Sequence, residues 1–217
     1  MNTPNTVKAQ LQNLIDLSNR KTGKSNTDLT GAINTLINER ESFIDGSITE
    51  IYSESERISE YAFARRRKLI NVYLPNVLII NSAAFYNASG LKNIIIPKLE
   101  YIAGSAFTGC TSLEYIDLGL CYSLYSNSLQ NCSLLSCVIL RRTANICAIS
   151  GTNVLQGTKI ESGTGYIYVP RKMIEEYKVA TNWVTFASQF RVLEDYTVDG
   201  TINGELDWDK VNGGIAW

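Results

Sequence analysis

The sequence has no histidine among its 217 residues. Every His-based catalytic triad, His-ligated metal and His general base is therefore excluded. There is no CxxC pair either. The five cysteines, Cys110, Cys121, Cys132, Cys137 and Cys147, are odd in number. Without His or CxxC no zinc site is expected, and the thiols read as small buried apolar residues. No run of about 18 apolar residues is present, so no membrane-spanning helix is expected. The opening "MNTPNTVKAQLQNLID" lacks a basic stretch followed by an apolar one and does not read as a secretory signal. Neither sign of charge prevails: 20 Lys and Arg stand against 21 Asp and Glu, a net charge of −1. No overall field favours nucleic acid or an anionic membrane. No GxxxxGK[ST] loop occurs, and no GxGxxG after a strand.

What the sequence does have is a sentence written four times. Phe63, Phe85, Phe107 and Leu129 are spaced by 22 residues. Leu69, Leu91, Leu113 and Leu135 keep the same register, as do Val72, Ile94, Ile116 and Val138, and Leu74, Ile96, Leu118 and Leu140. Ile58, Ile80, Ile102 and Leu124 make a fifth row; Ala62, Ala84, Ala106 and Ser128 make a sixth. A fixed period in this range, rich in Leu and Ile, is the signature of a leucine-rich solenoid. A 22-residue coil cannot bury its own apolar face. Stacking coils at the inter-strand spacing of about 4.8 Å lets each row run continuously through a shared core. The spacing predicts a short strand per coil in one parallel sheet, stopped by Pro75 and Pro97, with Gly119 and Arg141 at the same corner later. Cys110 and Cys132 fall on one rung, below Ala88.

Along each strand alternate side chains point out. Two outward rows follow: Asn71, Asn93, Tyr115 and Cys137, then Tyr73, Ile95, Asp117 and Ile139. Amides beside aromatic rings suit a sugar or a peptide, and an apolar stripe of Tyr73, Ile95 and Ile139 reads as a contact surface; the alternative is that both rows are plain sheet surface. The candidate ligand-binding residues are accordingly Asn71, Tyr73, Asn93, Ile95, Tyr115, Asp117 and Ile139.

The stretch "LPNVLIINSAAFYNASGLKNIIIPKLEYIAGSAFTGCTSLEYIDLG" resembles the BspA-like leucine-rich repeats, whose units run Leu/Ile-Pro, Ile, Ala-Phe, Cys, Leu, Ile. The resemblance is close from Ile58 to Leu140 and looser through "GTGYIYVPRKMIEEYKVATNWVTFASQF". It implies surface binding and adhesion, and it transfers no catalytic residue. Upstream, Val7, Leu11, Leu14 and Ile15 share one helical face, and Leu29, Ile33, Leu36 and Ile37 another. "VKAQLQNLIDLSNRKTGKSNTDLTGAINTLI" is similar to N-terminal segments of phage and prophage structural proteins, often tail-associated.

The expected organisation is an α/β repeat. A helical attachment segment occupies 1–45 and a leucine-rich-repeat solenoid of 22-residue coils 46–165. A C-terminal helical cap spans 166–193, with Met173, Ile174, Tyr177, Trp183, Phe186 and Phe190 as its apolar lid. A hairpin or tail follows over 194–217. Arg65, Arg66 and Arg67 read as a solvated turn of the first coil, or else as a basic patch for a carboxylate or phosphate.

Enzyme readings find little support. The pairs Glu175/Glu176, Glu194/Asp195 and Asp207/Asp209 are neighbours, not carboxyls opposed across a cleft. A calcium loop from Asp199 would need Glu where Lys210 stands. The expected function is non-catalytic: a phage or prophage tail-associated protein recognising a bacterial surface protein or glycan. Other virion proteins are expected partners and a homo-oligomer is possible; no cofactor or metal, no nucleic acid and no membrane insertion is expected. The alternatives are a BspA-like adhesin at the bacterial cell surface and a purely structural virion assembly protein.

Overall fold

A computed structural model describes residues 47–195. Contacts divide the chain into two units, Met1–Ile48 and Thr49–Trp217, and the architecture below is that of the second. The two N-terminal helices and nearly all of the tail expected from the sequence lie outside the described residues.

Each coil runs through three short segments. The front strands are β1 (Glu50–Tyr52), β3 (Asn71–Tyr73), β5 (Asn93–Ile95), β7 (Tyr115–Asp117) and β9 (Cys137–Ile139). The back strands are β2 (Arg57–Ile58), β4 (Ile79–Ile80), β6 (Tyr101–Ile102), β8 (Ser123–Leu124) and β10 (Ala148–Ile149). All pairings are parallel, and the back strands form one five-stranded sheet. The front does not form the single sheet that the repeat predicts. It divides into β1-β3-β5 and a second sheet, β7-β9-β11-β12, where β11 is Tyr166–Val169 and β12 is Phe190–Val192.

The third segment, a turn, carries its own ladder. The N–H groups of Ala83, Phe85 and Asn87 donate to the carbonyls of Gly104, Ala106 and Thr108 at 3.1, 2.8 and 2.8 Å. One coil on, Ser105, Phe107 and Gly109 donate to Ser126, Ser128 and Gln130 at 2.9, 2.8 and 2.9 Å. Alternate N–H groups point along the stack because two residues per turn are left-handed. One column is Tyr61, Ala83, Ser105 and Asn127, with φ of 56, 54, 58 and 61°. The other is Arg65, Asn87, Gly109, Asn131 and Gly157, with φ of 62, 56, 77, 57 and 75°. A left-handed L-residue costs about 1–2 kcal/mol. Tyr61, Arg65, Ala83, Asn87, Ser105 and Asn131 each donate their N–H to a carbonyl of the next coil, a bond worth about 1 kcal/mol net and more if its loss leaves a buried N–H unpaired.

The predicted rows are the core. The side chains of Leu69, Leu91, Leu113 and Leu135 are inaccessible to solvent, and so are Phe85, Phe107 and Leu129. The rings of Phe85 and Phe107 stack at 5.1 Å between centroids with an interplanar angle of 2°. Phe63 extends the stack at 5.2 Å. All five cysteines are buried free thiols. Cys110 and Cys132 share a rung as expected, and their thiols donate to the carbonyls of Phe85 (3.2 Å) and Phe107 (3.1 Å).

Beyond Leu140 the period stretches. Leu124 pairs with Ile149, Asn131 donates to the Gln156 carbonyl at 2.7 Å, and Val138 pairs with Ile167. The ladders continue although the 22-residue register is gone. The solenoid then closes under a cap: a 3-10 turn (Arg171–Met173), helix α1 (Ile174–Val179) and a second 3-10 stretch (Val184–Gln189). Five of the six expected lid residues, Met173, Tyr177, Trp183, Phe186 and Phe190, are buried, and Ile174 is half-buried. Trp183 lies 5.6 Å from Tyr177 and 5.8 Å from Phe190, edge to face, a favoured geometry for aromatic pairs.

Candidate functional site

On the front face the structure separates the predicted residues into two groups. In the β1-β3-β5 sheet the register aligns Glu50, Asn71 and Asn93 as one row and Tyr52, Tyr73 and Ile95 as the next. Asn71 donates from Nδ2 to Glu50 Oε1 at 2.9 Å, and Asn93 donates from Nδ2 to Asn71 Oδ1 at 2.8 Å. The amides thus form a ladder that fixes their orientation. Beside it, Tyr52 and Tyr73 pack with ring centroids 5.5 Å apart, and Ile95 continues the stripe. Tyr52 is exposed; Asn71, Tyr73, Asn93 and Ile95 are half-exposed. The Tyr52 hydroxyl donates to the Glu54 carboxylate at 3.2 Å.

The β7-β9-β11-β12 sheet is different. Ile139, expected on the accessible stripe, is inaccessible, and so nearly is Cys137. Both join Tyr168 in a cluster packed by Tyr115, Tyr166 and Leu193. Tyr115 belongs to the repeat, but Tyr166 and Tyr168 come from β11 and Leu193 from the turn after β12, which the 22-residue period does not contain. Burial raises the Cys137 and Tyr115 groups above their ordinary ranges. Asp117 is a corner residue: it accepts the Gly119 N–H at 2.9 Å and pairs with Arg141 at 2.6 Å. Asp117 and Arg141 hold the corner that Pro75 and Pro97 hold in the earlier coils. Of the seven predicted site residues, then, Asn71, Tyr73, Asn93 and Ile95 share one surface, while Tyr115, Asp117 and Ile139 lie on the other sheet.

The sequence reading missed the back face. Tyr101 stands 5.1 Å from Tyr125 and 6.4 Å from Tyr122, ring to ring. Tyr122 and Tyr125 are each 47% exposed. The signal was present, since Tyr101 is the outward residue of a two-residue strand, but that strand is too short to show alternation. On the turn face a groove of about 490 Å³ is lined by Tyr61, Ala64, Arg65, Ala83, Tyr86 and Ser105. Arg65 and Arg67 are exposed there and Arg66 is half-buried. Glu194 accepts the Arg171 N–H at 2.8 Å and Asp195 pairs with the Arg171 guanidinium, so this carboxylate pair serves the cap. Among the described residues no group of His, Cys, Asp or Glu is arranged to hold a metal ion, and no helix is long and apolar enough to cross a membrane.

Stacked parallel coils with this rung pattern match a known sequence family. The BspA type leucine rich repeat region matches residues 39–166, in six copies. The chain belongs to the BspA-type leucine-rich repeat proteins. This family match begins after the segment, Val7 to Ile37, that resembles phage tail-associated proteins. Among solved structures, a leucine-rich repeat protein from Bacteroides ovatus is similar, with a TM-score of 0.50 and 23% identity over 66% of this chain and 35% of that one. The BspA-type chain described here therefore spans about a third of that protein, and the likeness is one of fold. No curated protein matches.

Proposed function

We propose that the chain is a non-catalytic binding module that meets a protein or glycan on a bacterial surface through the β1-β3-β5 face. The observation that carries this reading is the pairing of two continuous rows: the fixed amide ladder Glu50-Asn71-Asn93 and the apolar stripe Tyr52-Tyr73-Ile95. Pre-oriented amides donate and accept without a further ordering cost, and half-exposed rings supply apolar contact area. The BspA-type family supports an adhesin-like role. A setting on a phage or prophage particle rests on the resemblance of Val7 to Ile37 alone, and a purely structural role there needs no ligand.

The test is binding of the purified chain to intact bacterial cells, before and after protease or periodate treatment. Loss on protease treatment identifies a protein receptor, and loss on periodate a glycan. A chain that binds no cells and no glycan surface, but is incorporated into particles, would overturn the proposal in favour of assembly.

A further inference from the structure

The turn ladder builds a surface of its own. Its side chains fall in columns spaced by 22 residues. One column is Tyr61, Ala83 and Ser105; the next is Ala64, Tyr86 and Thr108; a third is Arg65, Asn87 and Gly109. Tyr86 is the largest side chain of the middle column, with Ala64 in the coil above and Thr108 in the coil below. The small residues around it leave a hollow on either flank. One is the groove of about 490 Å³ along Tyr61, Ala83 and Ser105, which Arg65 also lines. The other is a groove of about 400 Å³ along Asn87, Gly109 and Asn131, bordered by Arg67, Ser89 and Thr111. Tyr86 lines both and is the wall they share. Both volumes fall in the range of small-ligand sites, about 300–1,000 Å³.

Charge on this surface is confined to one end. Residues 81–90, 103–112 and 125–134, the turns of three successive coils, contain no Asp, Glu, Lys or Arg. The turn above them, residues 59–68, carries Arg65, Arg66, Arg67 and Lys68 against Glu60 alone. Arg65 and Arg67 are exposed, and neither forms an ion pair among the described residues. The main chain here is fully engaged. The N–H groups of Ala83, Ala84, Phe85, Tyr86, Asn87 and Ala88 all donate within the fold. No edge is left to which a peptide strand could add. The grooves offer instead hydroxyls, amides, two tyrosine rings and two cations.

We infer that this turn face is a binding site for an acidic glycan, a chain of uronic acid sugars laid across Tyr86. The Tyr86 ring covers the C–H face of one sugar, and the polar side chains of both grooves meet sugar hydroxyls. Arg65 and Arg67 each take the carboxylate of a sugar on their own flank, a group that the guanidinium fork matches with two hydrogen bonds. These pairs are exposed, so each is weak and salt-sensitive, and affinity comes from several contacts at once. The site is distinct from the β1-β3-β5 face and does not depend on the reading of that face.

The test is a calorimetric titration of the full chain with hexamers of galacturonate and of mannuronate, at low and at high salt. The variants give each position the residue that the next coil carries there, so the turn is retained: Arg65→Asn copies Asn87, Arg67→Ser copies Ser89 and Tyr86→Thr copies Thr108. The expected result is saturable, salt-sensitive binding of at least one hexamer, weakened roughly fivefold or more by Tyr86→Thr and by Arg65→Asn/Arg67→Ser. The methyl-esterified hexamer, which has no carboxylates, should bind roughly tenfold or more weakly. Tyr73→Ser/Ile95→Ser should bind the hexamers as the wild type does, and its loss of binding would overturn the inference by placing the sugar on the front face. Binding of neither hexamer, equal binding of the methyl ester, or wild-type binding by both turn-face variants would also overturn it. So would equal affinity for a hexaglutamate peptide, which would make the grooves a site for acidic protein segments. The methyl-ester comparison uses the wild type and decides the matter should a variant fail to fold.

Discussion

Gly109 is where a single methyl group tests the turn ladder. Its φ is +77°, and a Cβ there would stand 2.1 Å from Asn87 Oδ1 in the coil above. Gly109→Ala should therefore cost more than the about 1 kcal/mol of an ordinary Gly/Ala exchange, lowering the urea midpoint without changing the slope. A second residue-scale prediction concerns alkali. Burial raises the Cys137 thiol and the Tyr177 phenol above their ordinary values of 9.0 and 10.0. Below pH 9 both are protonated whether the chain is folded or not, and their contribution is complete. Above that the unfolded chain ionises first and is favoured, so stability should fall progressively from about pH 9 upward. Urea midpoints at pH 8, 9.5 and 10.5 check this, and a midpoint that rises with pH contradicts it. At this scale the sequence showed the six inward rows of the repeat but not what they touch. Ala83 and Ser105 carry no mark of a left-handed turn, because only the inter-coil hydrogen bonds select that conformation. Asp117 reads as an outward row residue until its bonds to Gly119 and Arg141 are seen.

Among the elements, the cap packs four aromatic rings, Tyr177, Trp183, Phe186 and Phe190, against one another. Trp183 is wholly buried, touches Tyr177, Phe186 and Phe190, and donates to the Cys147 carbonyl. Trp183→Ala removes a large buried ring and orphans that carbonyl, and should cost about 3–5 kcal/mol. Hydrogen exchange should show protection lost first in β11, β12 and α1, with the β4-β6 region retained. Uniform loss across the solenoid would contradict a locally anchored cap. The coils from Ile58 to Leu140 were legible because each strand and turn repeats the same side-chain sizes at one spacing. The coil that follows was not, because its ladders absorb extra residues between Leu140 and Tyr166. The burial of Ile139 escaped for the same reason: its cover arrives from β11 and the turn at Leu193, outside the repeat.

At the scale of the whole molecule, three parallel ladders hold the stack, and the front ladder is split between β5 and β7. That division places the amide ladder and the Tyr52-Tyr73-Ile95 stripe on one sheet and the covered Cys137-Ile139-Tyr168 cluster on the other. The back tyrosines, Tyr101, Tyr122 and Tyr125, supply a built-in comparison surface. The most direct measurement compares binding to intact bacterial cells by the wild type, Tyr73→Ser/Ile95→Ser and Tyr122→Ser/Tyr125→Ser, each with its urea midpoint checked. Binding through the β1-β3-β5 face predicts at least a tenfold loss for the first pair and wild-type binding for the second. Wild-type binding by Tyr73→Ser/Ile95→Ser, with loss on the back face instead, would contradict it.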